Sequence, residues 1–143
     1  MSYLIDTNVF SELTRPRPDS GVVDWLRTIP NEDQHLSTLT LGEMRFGAER
    51  LAPGSRSEAL KIWLDTKIIA AYGDRILPVT AAVADRWARL RAGMDRTLPA
   101  IDSLIAATAL HHDLRLVTRN ERDFKRFPGL EVVNPWRTSE GTW

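Results

Sequence analysis

The chain contains no cysteine. Disulfide staples and thiolate metal sites are therefore excluded, and any metal must be held by oxygen or imidazole ligands. That lack is compatible with a reducing compartment, and a cytoplasmic protein is expected. Long hydrophobic runs are missing too. No segment approaches the roughly 20 apolar residues that span a bilayer, and the N-terminus lacks the charged-then-apolar pattern of an export signal. A soluble protein without membrane association is expected. Nor is there an excess of charge, because 19 lysines and arginines balance 19 aspartates and glutamates. Bulk charge thus gives no argument for nucleic acid, and any RNA binding must rest on local charge. No phosphate-binding G-x-x-x-x-G-K-[ST] loop occurs, which removes support for ATP use. The Asp-x-Asp of an aspartyl-phosphate phosphatase is broken by Asn8. Of the three histidines, His111 and His112 fall at the end of a helical segment, where positive charge complements the helix dipole; His35 has no partner in sequence.

What is present fits one domain. At 143 residues, folding buries roughly 68–70% of the surface that the unfolded chain exposes, enough for a core without staples. Tyr3-Leu4-Ile5 reads as a buried strand that stops on Asp6 and passes at once into a helix spaced by Val9, Phe10 and Leu13. Arg15-Pro16-Arg17-Pro18 ends that helix as an exposed basic loop. Asp19 or Ser20 caps a second helix, 34–37 is a weak strand, and Thr38 or Thr40 starts a helix carrying Leu41, Met44, Ala48 and Leu51. A long helix from Ser55 or Ser57 ends near Gly73, with an apolar surface wide enough for a core or a dimer face. Strands follow over 76–79, 114–118 and 130–133, with a helix capped by Thr80 and a nearly all-apolar helix from Ser103 to Leu110 between the first two. Most of the five tryptophans sit at apolar spacing. Helices alternating with short strands predict an α/β domain around a mainly parallel sheet, here assigned to 1–136, with 137–143 and its Trp143 as a tail.

Three carboxylates stand where an unpaired charge is expensive: Asp6 after the first strand, Glu43 at the border of a buried helical stripe, and Asp102 opening a buried helix. Each also has an ordinary structural role open to it. Asp6 or Asn8 can simply cap the first helix, and Asp102 can complement a helix dipole. Two like charges about 4 Å apart repel by about 4 kcal/mol at an effective dielectric near 20, so a convergent trio needs protons, cations or a metal. Oxygen-only ligation suits Mg²⁺ or Mn²⁺. Spacing alone does not establish that residues 6, 43 and 102 converge.

Four stretches in order, LIDTNVFSEL, LTLGEMRFGAERL, PAIDSLIAATAL and LVTRNERDF, with a final NPW, resemble the PIN domain family. More narrowly they resemble its VapC and FitB group, the ribonuclease toxins of type II toxin–antitoxin systems, over almost the whole chain. The resemblance implies a PIN-like α/β/α sandwich and a metal-dependent endoribonuclease that hydrolyses RNA phosphodiesters with metal-activated water. By it, Asp6, Glu43 and Asp102 occupy the acidic metal-binding positions, with Mg²⁺ as the ion and Mn²⁺ as its substitute. Asn8 and Thr118 match polar positions that support those acids. The fourth acidic position is Asn120 here, and Asp123 lies three residues later as its substitute. Implied partners are RNA, a VapB-like antitoxin whose C-terminal segment enters the site, and a second copy of the chain in a homodimer within a toxin–antitoxin hetero-oligomer. The alternative, kept open by Asn120, is a weakly active or inactive PIN-like module that works through protein complex formation. Arg15, Arg17, Arg86 and Arg119 are the arginines whose placement would bear on base choice.

Overall fold

The computed structural model describes residues 1–94 and 97–138. Five strands, β1 (Tyr3–Ile5), β2 (Gln34–Ser37), β3 (Ile76–Leu77), β4 (Arg115–Val117) and β5 (Val132–Val133), form one sheet in the order β3-β2-β1-β4-β5. Every pairing is parallel, with Tyr3 opposite Gln34 on one side and Arg115 on the other. The helices are α1 (Thr7–Leu13), α2 (Ser20–Arg27), α3 (Thr38–Arg50), α4 (Ser55–Trp63), α5 (Ala81–Ala92), α6 (Ala100–His111), α7 (Glu121–Phe124) and α8 (Pro135–Thr138). α8 crosses residue 137, where the sequence was divided; 139–143, including Trp143, lies outside the described residues.

Alternation along the short strands builds two cores. Ile5, Leu36 and Val117 point to one face and pack with Val9, Phe10, Val22, Ala48, Leu64, Ile68 and Trp136. Leu4 and Leu116 point to the other, against Ile105, Ala106, Ala109, Phe124 and Phe127. Strands buried on both faces read as continuous apolar runs, which is why Leu-Ile and Leu-Val suffice here. α5 is tied to α6 by the Trp87 indole N–H, which donates to Ser103 Oγ at 2.8 Å.

Three details differ from the sequence-based expectations. Ser37 caps α3, its hydroxyl oxygen accepting from the Leu39 N–H at 3.0 Å, rather than Thr38 or Thr40. β1 and β2 keep their expected bounds, but β3, β4 and β5 are shorter than predicted, because Pro78 has no N–H to offer a ladder and the N–H groups of Leu114 and Leu130 donate instead to Ala109 and Phe127. The long helix to residue 72 is present but changes character after Trp63, where Leu64–Ala70 winds as a π-helix. Leu64 and Ile68, four positions apart, both face the core, while Ile62 and Ile69 stay exposed.

Candidate active site

β1 is flanked by β2 and β4, and the chain passes from one side of β1 to the other, leaving a crevice beyond the carboxyl ends of these strands. Asp6 and Thr118 are the first residues past β1 and β4, held level because the Asp6 N–H donates to Val117 O at 2.9 Å. Asp6 is 8% exposed. It caps α1, with Oδ1 accepting from the Thr7 N–H at 2.9 Å, while Oδ2 accepts from the Thr118 hydroxyl at 2.9 Å. Thr118 Oγ1 in turn accepts from Asn8 Nδ2 at 3.0 Å and from the Asn120 N–H at 3.1 Å, and Asn8 Oδ1 accepts from the Arg119 N–H at 3.2 Å. Asp6 therefore both caps a helix and carries an oxygen-rich surface to the crevice; the two roles coexist.

Glu43 approaches from α3 and Asp102 from the first turn of α6, and both line the same open cleft of about 540 Å³ as Asp6. Glu43 Oε1 accepts from the Thr7 hydroxyl at 2.6 Å. Asn120 lines the cleft as well, and its Nδ2 donates to Asp123 Oδ2 at 2.9 Å. Electrostatics register the crowding. Burial pushes the Asp6 carboxyl up; the bonds from Thr118 and Thr7 oppose that, and the charges of Asp102 and Glu43 add to it, with a raised pKa as the net result. Asp102 is raised as well, by burial first and then by Glu43 and Asp123, with Arg126 pulling the other way.

Oxygen donors of this kind match a hard divalent cation. Among the described residues no three acidic or histidine side chains close around one point; the three carboxylates share the cleft without forming an all-protein cage. Two contributors were not singled out in the sequence. Thr7 holds Glu43 across 36 residues, a partnership that no local pattern signals. Glu12, only 6% exposed, accepts from the Asp19 N–H at 2.9 Å and pairs with Arg15 at 3.3 Å, which pins the Arg-Pro loop at the cleft mouth; a carboxylate on the buried side of α1 was its available signal. Arg15 and Arg119 line the cleft, whereas Arg17 and Arg86 do not. Asp123 does not line it either and acts on Asp102 through its charge.

The sequence profile of the PIN domain matches residues 3–130. The chain is 38% identical to the toxin FitB of Neisseria gonorrhoeae over 136 residues, 93% of this chain and 97% of that protein. It is 32% identical to the VapC ribonuclease Y4jK of Sinorhizobium fredii over 136 residues, 93% of this chain and 96% of the relative. Among solved structures, FitAcB from Neisseria gonorrhoeae superposes with a TM-score of 0.87 at 37% identity, covering 94% of this chain and 98% of that one. With a profile match across nearly the whole domain, relatives named as VapC and FitB toxins, and the same arrangement of strands and helices, this chain belongs to the PIN domain family.

Proposed function

We propose that this protein is a metal-dependent endoribonuclease, the toxin of a type II toxin–antitoxin pair. One observation carries the proposal: a buried, doubly hydrogen-bonded Asp6 shares an open cleft with Glu43 and Asp102, in a chain similar to a VapC ribonuclease. Asp6 and Asp102 would be the principal ligands of Mg²⁺ or Mn²⁺, with Glu43 binding the ion directly or through water and helping to orient the attacking water. When bound, the ion supplies charge neutralisation at a phosphodiester and acidifies water toward neutral pH. Thr118 and Asn8 hold Asp6 in register, while Asn120, bonded to Asp123, takes the fourth position with a neutral amide. Attack by water on phosphorus breaks the P–O3′ bond and leaves a 5′-phosphate and a 3′-hydroxyl, since no step calls on the RNA 2′-hydroxyl.

An apolar groove lined by Phe10, Met44, Leu60 and Trp63 opens beside the cleft and shares Thr7, Ser11 and Glu43 with it. An antitoxin segment lying there would reach the carboxylates and block them. Exposed Phe46, Ile62 and Ile69 offer apolar area for pairing with a second copy. Purified protein free of antitoxin, incubated with RNA, should cleave with Mg²⁺ and not with EDTA. Asp6→Asn should lose at least about a hundredfold in rate while staying folded, because asparagine caps a helix as well as aspartate does. A folded wild type that leaves RNA intact in Mg²⁺ would favour the interaction module instead.

A further inference from the structure

A second cleft opens beside the first, on the side of α7 and α8, and the two share Arg119, Asn120 and Trp136 as a common wall. Its charge is opposite. Four cations, Arg119, Arg122, Lys125 and Arg137, line it against a single carboxylate, Glu121, whereas the first cleft presents Asp6, Glu12, Glu43 and Asp102 against Arg15 and Arg119. We propose that this basic cleft is a substrate subsite, taking backbone phosphates of the RNA strand that flank the phosphate held at the carboxylates. The inference rests on the ribonuclease function proposed above and assigns it a direction, with the strand leaving the carboxylates past Arg119.

The cations are arranged rather than scattered. Glu121 receives the Asn134 amide at 3.1 Å, Lys125 Nζ at 3.4 Å and Arg137 Nε at 2.5 Å, so one carboxylate fixes two cations and the loop before α8. Burial pushes the Glu121 carboxyl up, but the Asn134 bond and the charges of Lys125 and Arg137 outweigh it and hold the group below its ordinary value. Glu121 is therefore a charged anchor near neutral pH. The Arg119 guanidinium lies over the Trp136 ring, 5.2 Å from its centre, which stations a cation on the wall between the clefts. Arg122, exposed and three positions from Lys125, makes no ion pair among the described residues. Its charge is available to an anion from outside. An acidic peptide spanning both clefts would meet the four carboxylates next door. A nucleic-acid strand carries its charge on phosphates that a cation at those carboxylates can receive.

The test measures binding apart from cleavage. In an Asp6→Asn background, which spares the probe, the affinity of the full chain for a labelled single-stranded RNA oligonucleotide is followed against salt concentration in Mg²⁺. Arg122→Ala with Lys125→Ala should weaken binding by about tenfold and flatten the slope of log affinity against log salt by about 1.4, roughly 0.7 for each lost phosphate contact. Arg56→Ala with Lys67→Ala, which removes the same charge from exposed positions elsewhere, should do neither. If the double variant fails to fold, Arg122→Gln at its exposed, unpaired position should flatten the slope by about 0.7. Affinity and slope equal to the parent's overturn the subsite alone. So does a loss confined to an acidic peptide probe, which would make the cleft a protein-docking site. An Asp6-intact protein that binds RNA without cutting it overturns the ribonuclease proposal while the binding comparison still decides the subsite. No RNA binding by any form overturns both.

Discussion

Thr118 is the residue on which the site turns. Its one hydroxyl donates to Asp6 and accepts from Asn8 and Asn120, fully buried, so the turns after β1 and β4 meet on a single oxygen. Valine keeps the shape and removes that oxygen. Thr118→Val should cost about 1–3 kcal/mol of stability, the usual penalty for stranding buried polar partners, and should slow RNA cleavage because Asp6 loses its register. Thr118→Ser should recover most of both. Urea unfolding and initial cleavage rates check the pair; a valine variant as stable and active as wild type would show that Asp6 is held by its helix cap alone. The same residue shows why sequence reaches only part of a site. Resemblance placed Thr118 next to the acids, but neither its bonds to Asp6 and Asn8 nor the Thr7–Glu43 bond has a local signature, since their partners lie 36 to 112 residues away.

At the scale of elements, α6 carries Asp102 on its first turn and buries Ser103 and the run from Ile105 to Ala109 behind it. Ala106 and Ala109 are fully buried against Leu4, Leu116 and Phe127, a space with no room for a longer side chain. Ala106→Leu should therefore destabilise by about 1–3 kcal/mol through overpacking, lowering the urea midpoint without changing the slope. By displacing α6 it should also reduce cleavage, although Ala106 lies a full turn from Asp102. An unchanged midpoint would mean that the helix has slack. This element was legible in the sequence, because a stretch apolar or small on every side can only be interior. The central strands were legible for the same reason, and so was the Thr80 cap, while Asp6 and Asp19 are each one of the two cap candidates that the sequence offers. Element edges were not: β3 stops where Pro78 offers no N–H, and β4 and β5 start late because nearby carbonyls of Ala109 and Phe127 capture the N–H groups of Leu114 and Leu130. The π-helix over Leu64–Ala70 was invisible as well, because its spacing of buried residues is an acceptable α pattern.

At the scale of the molecule, a net charge of zero conceals two adjoining clefts of opposite sign. In the acidic one, the raised Asp6 and Asp102 make the folded form hold more protons than the unfolded chain. The stability contributed by these two carboxyls should therefore be fully present below the ordinary carboxylate range and be lost as pH rises through the raised values, because ionisation then places charge in a buried, crowded site. Mg²⁺, by binding only the folded state, should restore it with the logarithm of concentration. Asp102→Asn removes one of the crowded charges. It should melt a few degrees above wild type in EDTA near neutral pH, at about 3 °C per kcal/mol of repulsion relieved, and gain less from Mg²⁺. A variant that melts lower in EDTA and gains as much would reassign Asp102 to the dipole of α6.

The central position of β1 also bears on synthesis. Tyr3–Ile5 is made well before the strand on one of its sides, Arg115–Val117, and the Asp6–Thr118 bond closes a loop of 112 residues. At roughly 5–20 residues per second, on the order of 6 to 22 seconds separates the translation of Asp6 from that of the threonine that seats it. On the ribonuclease function proposed above, a nascent chain is thus harmless to the RNA being translated beside it until Thr118 has been made. An inhibitor that needs the completed cleft has no target before that moment.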